Sequence, residues 1–236
     1  MIERKYKGFV LSKTKYKDND AIINILTSDG KVSFKAVGIN KITSKNASKC
    51  NFFMISEFVL NFKSEISNKT LKQASIEKLY KKPYDDLLAS SCYLLIVSIL
   101  NCLDDINGYD MAIKCFDMIE DGIYPINVIN YFIKNVIEAL GYLPENNKCV
   151  MCGIKSNIIS FDFESGGFIC NKCFDKTRHI KYSKTILTNI HNIFASDEIV
   201  IIDKLDSVTI YKIFTDYLKE IIQIKEDNYQ FVLKCL

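Results

Sequence analysis

The chain is poor in the residues that most catalysis draws on. It holds two histidines, His179 and His191, and two arginines, Arg4 and Arg178. No Walker loop, dinucleotide fingerprint or nucleophile elbow occurs, and Gly166-Gly167 lacks the following Gly-Lys-Ser/Thr that a phosphate loop needs. The His-x-Glu and Pro-Cys-x-x-Cys pattern of zinc deaminases is also missing. These absences exclude the common enzyme classes, and a binding protein is expected. An N-terminal apolar segment followed by a small-residue cleavage site is lacking as well. The longest apolar run, residues 87–103, is interrupted by Ser90, Ser91, Ser98 and Asn101. A spanning helix needs about 20 apolar residues. A buried core helix, no membrane association and a cytoplasmic location are therefore expected.

What is present suits a soluble globular protein: 48% of the 236 residues are hydrophobic and 25% are charged. The formal net charge of +3 conceals a division. Residues 1–80 carry 15 Lys/Arg against 7 Asp/Glu, and residues 81–236 carry 16 against 21. The asymmetry points to an N-terminal module that meets a polyanion.

That module reads as strands. "GFVLSKTKY" from Gly8, "AIINILTSD" from Ala21, "KVSFKAVGI" from Lys31, "FFMISEFVLNF" from Phe52 and "TLKQASIEKLY" from Thr70 are β-branched or aromatic runs, several alternating with period 2. Ser28-Asp29-Gly30-Lys31 is a hairpin turn between the second and third. "NKITSKNASK" from Asn40 is too long for one. Five short strands suit an oligonucleotide-binding barrel over residues 1–80, with an SH3-like barrel as the alternative. After Pro83 the period changes. "DDLLASSCYLLIVSILNCL", "YDMAIKCFDMIE" and "INVINYFIKNVIEALG" place apolar residues on one helical face, and "SKTILTNIHNIFAS" and "DSVTIYKIFTDYLKEIIQIK" do so again later. Pro125 can begin a helix and Gly141 can end one; Ser183 and Asp206 are candidate N-caps. The expected architecture is α+β and multidomain, with a barrel at 1–80 and a helical domain at 81–236.

Within the helical part lies "CVMCGIKSNIISFDFESGGFICNKC". Two Cys-x-x-Cys pairs, Cys149/Cys152 and Cys170/Cys173, are separated by seventeen residues, the spacing of a structural zinc site. Each pair can form a knuckle that turns two thiolates toward one ion, and Gly153 eases the first turn. Ser165-Gly166-Gly167 would close a hairpin that returns the second pair to the first. One structural Zn²⁺ in a ribbon-like module at 146–178 is expected, with a dithiol redox centre as the rival. Four thiolates leave no open position for catalysis. His179 and His191 are expected to be structural. The other five of the nine cysteines stand apart, several in apolar runs, as small hydrophobes.

"GFVLSKTKYKDNDAIINILTSDGKVSFKAVGI" resembles the opening of the RecO family of bacterial recombination mediators: a Gly-x-Val-Leu strand, a Tyr-x-x-x-Asp turn, a Leu-Thr strand, then Asp-Gly-Lys and a strand ending in Gly. "EALGYLPENNKCVMCG" and "FDFESGGFICNKC" resemble the family's second signature, Leu-Gly-Tyr-x-Pro leading into Cys-x-x-Cys-Gly and a Gly-Gly hairpin. The resemblance implies a non-catalytic protein that binds single- and double-stranded DNA and anneals complementary strands. It also implies work with RecR to load RecA on strands coated by single-strand-binding protein, whose C-terminal tail such proteins can engage. Where the family has an arginine-rich stretch, this chain has "GINKITSKNASK", which keeps the charge but not the bidentate guanidinium fork. DNA is expected on the barrel along Lys13, Lys15, Lys17, Lys31, Lys35, Lys41, Lys45 and Lys49, with Tyr16 and Phe34 as candidate stacking platforms. The alternative is a zinc-ribbon nucleic-acid-binding regulator of transcription or RNA; a zinc-stabilised thiol redox protein is a second.

Overall fold

The computed structural model describes residues 1–104, 106–222 and 226–236. Asp105, beside the acidic end of the apolar run, and residues 223–225, the end of the last helical pattern, lie outside the described residues.

Strands β1 (Ile2–Tyr16), β2 (Asp20–Thr27), β3 (Gly30–Ala36), β4 (Met54–Phe62) and β5 (Lys69–Leu79) form a closed barrel in the order β1-β2-β3-β5-β4. This is the expected five-stranded barrel. β1 serves two partners: its first half pairs with β4, Ile2 opposite Phe62, and its second half with β2, Tyr16 opposite Asp20. Gly8 sits where the two pairings meet, and a Cβ there would lie 2.2 Å from the Leu26 carbonyl oxygen. An irregularity between Val10 and Ser12 adds the bend that closure requires. The β2–β3 turn is Ser28-Asp29, with Gly30 at φ 116°. Alternation delivers Val10, Ala21, Ile23, Ile25, Phe34, Ala36, Phe58, Leu60 and Ala74 to the interior. The first six residues of β1 were not legible as strand because "IERKYK" is charged and mostly exposed on both faces.

Helices α1 (Lys82–Asp85), α2 (Leu87–Cys102) and α3 (Tyr109–Glu120) follow. Asp86 caps α2 by accepting from the Ala89 amide. These helices belong with the barrel: residues Met1–Glu120 and Gln230–Leu236 form one compact unit, and Asp121–Tyr229 a second. The first compact unit thus extends past the strand-to-helix change at Tyr80 to Glu120. The reason is aromatic packing: Phe116 meets Phe9 at 5.2 Å, Tyr80 at 5.6 Å and stacks on Tyr93 at 3.6 Å. Tyr80 also donates to Asp117 at 2.8 Å, and the Glu120 carboxylate accepts from the amides of Lys81 and Lys82.

In the second unit α4 (Pro125–Ala139) packs on α6 (Lys204–Ile221), with α5 (Lys184–Ala195) beside them; α7 (Glu226–Lys234) begins there. Pro125 opens α4, and Gly141 follows its end at φ 80°. Ser183 caps α5 as expected. Asp206 does not cap α6. Asp203 does, accepting from the amides of Leu205 and Asp206, because the helix starts one turn earlier than its apolar pattern. A two-stranded hairpin, β6 (Ile158–Asp162) and β7 (Gly167–Cys170), interrupts the helices. Among the described residues no helix is long and apolar enough to cross a membrane.

The barrel core sets a stability expectation. Phe58 is 0% exposed and touches Phe34 across the interior, whereas Ile42 is 105% exposed. Phe58→Ala should cost about 3–5 kcal/mol in urea unfolding, and Ile42→Ala within about 0.5 kcal/mol of zero. Equal midpoints for the two variants would contradict the register.

Candidate metal centre and nucleic-acid surface

Each cysteine pair is formed by a local backbone knuckle. The Cys149 amide donates to the Ile154 carbonyl and the Gly153 amide to the Cys149 carbonyl, both at 2.8 Å, with Gly153 at φ 75°. The second knuckle is tied by the Cys173 amide donating to the Cys170 carbonyl at 3.1 Å. The hairpin ladder, Phe161 opposite Phe168 and Ile158 opposite Cys170, returns the second pair to the first. The Val150 amide then donates to the Phe168 carbonyl at 2.8 Å and locks the knuckle to β7.

One contact was not foreseen. Glu145 lies along β7, its amide donating to the Gly166 carbonyl at 2.8 Å and its carbonyl accepting from the Phe168 amide at 2.9 Å. Gly167, at φ 142°, is the residue this approach requires, since a Cβ would lie 2.1 Å from the Glu145 oxygen. The two glycines signalled only a turn; nothing in "PENNK" signals a strand. The hairpin is anchored to its unit by rings. Phe163 stacks on Tyr217 of α6 at 3.7 Å and 5°, and Phe161 faces Phe194 of α5 at 6.3 Å.

The four sulfurs of Cys149, Cys152, Cys170 and Cys173 all lie within 4.8 Å of one another, and Cys152 and Cys170 are 3.6 Å apart. Zinc–sulfur bonds of about 2.3 Å at tetrahedral angles put ligand sulfurs roughly 3.8 Å apart, so the set fits such an ion without rearrangement of the chain. The donors are all soft thiols, which suit zinc over the harder divalent ions. Although burial opposes ionisation, backbone hydrogen bonds from Cys170, Cys152 and Met151 bring the Cys149 thiol down to about 6. The Cys173 thiol is pushed up to about 12, first by its hydrogen bond with Cys152. Burial instead raises Cys50 to about 11, as for an inert thiol in an apolar core. His179 is not among the four. Its ring nitrogens meet the Ser165 hydroxyl at 3.3 Å and the Asp175 amide at 3.0 Å.

The eight barrel lysines fall into two groups. Lys31 and Lys35 are engaged: Lys31 is 3.0 Å from Asp104 and donates to the Asn101 carbonyl, and Lys35 is 2.9 Å from Asp20. Lys13, Lys15, Lys17, Lys41, Lys45 and Lys49 have no carboxylate within ion-pair reach among the described residues. Lys13 and Lys15 line a concavity of about 430 Å³ with Asp18, Ala21 and Asn40. Lys13 and Lys49 both act electrostatically on Cys50, which places them near the same point of the barrel. Lys41, Lys45 and Lys49 lie on the segment between β3 and β4. Asp20 positions the start of that segment: its carboxylate accepts from the Gly38 amide at 2.8 Å, while its carbonyl accepts from the Asn40 side chain at 3.2 Å. Tyr16 is 43% exposed, and the ammonium groups of Lys17 and Lys35 lie over its ring at 5.6 and 5.0 Å. Phe34 is 2% exposed and packs on Phe58, which removes it from the candidate platforms. A second concavity, of about 290 Å³ and lined by Arg4, Lys5, Lys7 and Lys69 among others, was not anticipated because the charged start of β1 gave no strand signal.

Two family models match successive parts of the chain. The family described as Recombination protein O N terminal matches residues 1–80, and Recombination protein O C terminal matches residues 92–196. The chain belongs to the RecO family. Among RecO relatives, the DNA repair protein RecO of Mesoplasma florum is 30% identical over 241 residues, covering 94% of this chain and 87% of its own. That of Listeria monocytogenes serotype 4a is 22% identical over 95% of this chain and 89% of its own. That of Bacillus velezensis is 25% identical over 73% of this chain and 69% of its own. The two RecO matches cover the whole barrel and the whole cysteine hairpin.

Two outcomes test this geometry. Cys170→Ser should leave zinc sub-stoichiometric by metal analysis and lower the melting temperature of the protein, since metal bound only by the folded ribbon stabilises it. Full stoichiometry with unchanged melting would remove the four-thiolate site. The Asp20 carboxyl is held below its usual value of 3.8, first by the Gly38 amide and then by Lys35. A depressed folded value means stability that is present above pH 3.8 and lost as pH falls through the folded value. The stability difference between wild type and Asp20→Asn should therefore be full near neutrality and shrink in acid. A difference independent of pH would contradict this tether.

Proposed function

We propose that the chain is a DNA-binding mediator of DNA repair and homologous recombination that works without catalytic turnover. The observation that carries the reading is the RecO family match, which includes both the barrel and the cysteine hairpin. It is joined by the six lysines around the barrel that, among the described residues, have no carboxylate within ion-pair reach. Lys13, Lys15, Lys17, Lys41, Lys45 and Lys49 hold phosphates as point charges and release counterions, giving sequence-indifferent binding that falls with salt. Lys31 and Lys35 contribute less, because a phosphate would have to replace Asp104 or Asp20. Tyr16 supplies a stacking face for single strands. Strands anneal because the cationic surface lowers the repulsion between them.

Zinc holds the ribbon together through Cys149, Cys152, Cys170 and Cys173 and takes no part in a reaction. The partners of this reading are single- and double-stranded DNA, a RecR protein, the tail of single-strand-binding protein and, indirectly, RecA, in the bacterial cytoplasm. A zinc-ribbon regulator has less support, since its logic does not call for the N-terminal barrel.

The test is annealing of complementary oligonucleotides coated with single-strand-binding protein, followed by fluorescence across salt concentrations. Acceleration at many unrelated sequences, weakening with salt, is expected; no acceleration at low salt from zinc-loaded protein would overturn the reading. Each phosphate contact on a single strand contributes about 0.7 to the slope of log affinity against log salt. Changing Lys13, Lys15, Lys41 and Lys49 together to Gln should therefore lower the slope by about 2 to 3, whereas Lys31→Gln should leave it nearly unchanged.

A further inference from the structure

The second unit is acidic as a whole, yet its positive charge is concentrated. Residues 146–191 carry seven Lys/Arg against three Asp/Glu, inside a stretch, 81–236, that holds 16 against 21. The structure gives that segment a cavity of about 740 Å³ between the cysteine hairpin and α5. Such a volume lies within the range of about 300–1,000 Å³ typical of ligand sites. Its floor includes Phe168 of β7 and Leu187 of α5, 5% and 6% exposed, and its rim carries Lys155, Lys181 and Lys184, all exposed. Among the described residues none of these three lysines is paired with a carboxylate. Lys148, in contrast, is 3.9 Å from Glu145.

We propose that this groove is a second nucleic-acid site, which takes a single strand by its phosphates while the barrel holds the complementary one. The inference rests on the mediator reading and adds the place of the second strand. Three unneutralised cations around one opening call for a polyanion. The neutral groups of the lining separate nucleic acid from an acidic peptide. Asn157 offers an amide that both donates and accepts, and Asn147, whose Nδ2 donates to the Asn146 side chain at 2.9 Å, keeps its Oδ1 as an acceptor, as base edges require, where carboxylates would require donors alone. Tyr182 and His191 bring two rings to the same wall, and the His191 Nδ1 is fixed by the Asn146 carbonyl at 2.7 Å. Rings held beside an apolar floor are the elements on which unstacked bases rest. The ribbon then has a function beyond its own stability: the metal site shapes one wall of the groove, because Phe168 lies two residues before Cys170 on the same strand.

The experiment uses the full, zinc-loaded chain and the variant in which Lys155, Lys181 and Lys184 are together changed to Gln. All three are exposed, so melting and zinc content should match wild type. Wild type should bind a fluorescein-labelled oligothymidine in two phases and cross-link bromodeoxyuridine-substituted strands within residues 155–191. The variant should keep the first phase, lose the second together with the cross-link, and lose annealing. Its total salt slope should fall by about 2, three contacts at about 0.7 each. Annealing at the wild-type rate by the variant, or no cross-link in the segment, would overturn the proposal while leaving the barrel phase and the mediator reading in place. Loss of binding to a polyglutamate peptide with oligonucleotide binding intact would also overturn it, assigning the groove to an acidic protein segment. Absence of both phases in wild type would bring down the mediator reading itself.

Discussion

Five strands whose inner faces fill a closed barrel leave cationic side chains only the rim and the outer wall, and what this chain offers a polyanion follows from that exclusion. Phe34, Phe58 and Leu60 occupy the interior, so a lysine on an alternating strand has either to reach the mouth or to face water. Lys13 and Lys15 do the first. They stand opposite Ile23 and Ala21, on the inward side of the β1–β2 hairpin, but far enough along it to emerge beside Asn40. Lys35 does the second, opposite Ile22 on the outer side, and there it meets Asp20. Position along the strand, more than the number of lysines, decides which charges remain available.

The two compact units use different means to the same end. In the first, a ladder of rings from Phe9 through Phe116 to Tyr93 fixes helices to the barrel, and dispersion with burial supplies the cohesion. In the second, a hairpin of five and four residues is far too short to stand alone. Its four cysteine sulfurs cluster at one end, and Phe161 and Phe163 anchor it at the other. A small module that cannot bury enough apolar surface is the kind that a metal bound at such a cluster would stabilise.

The barrel, the helices and the thiolate cluster were legible in the sequence because each has a short-range signature: period 2, period 3.6 and a fixed Cys-x-x-Cys spacing. Features that depend on pairing distant residues were not. The N-terminal half of β1 carries charges on both faces, and only its partner β4 makes it a strand. Asp203 displaced Asp206 as a cap because helix α6 begins before its apolar stripe does. Charge counting could not separate Lys31 from Lys13, since the carboxylate that engages Lys31 is 73 residues away in sequence. The compact unit extending to Glu120 depends on ring contacts that a change of hydrophobic period does not reveal.

The contact between Glu145 and Gly167 also bears on how the protein behaves in a crowded solution. A bare two-stranded hairpin presents unpaired amides and carbonyls along both outer edges, a template on which another chain can add a strand. Here both edges are covered from within. Glu145 lies along the outer side of β7, and Lys181 bridges to Ser160 on the outer side of β6, with the Tyr182 amide donating to the Ile159 carbonyl at 3.0 Å. The ribbon is therefore a sheet finished at its margins, and the segments that enter and leave it act as guards against self-association.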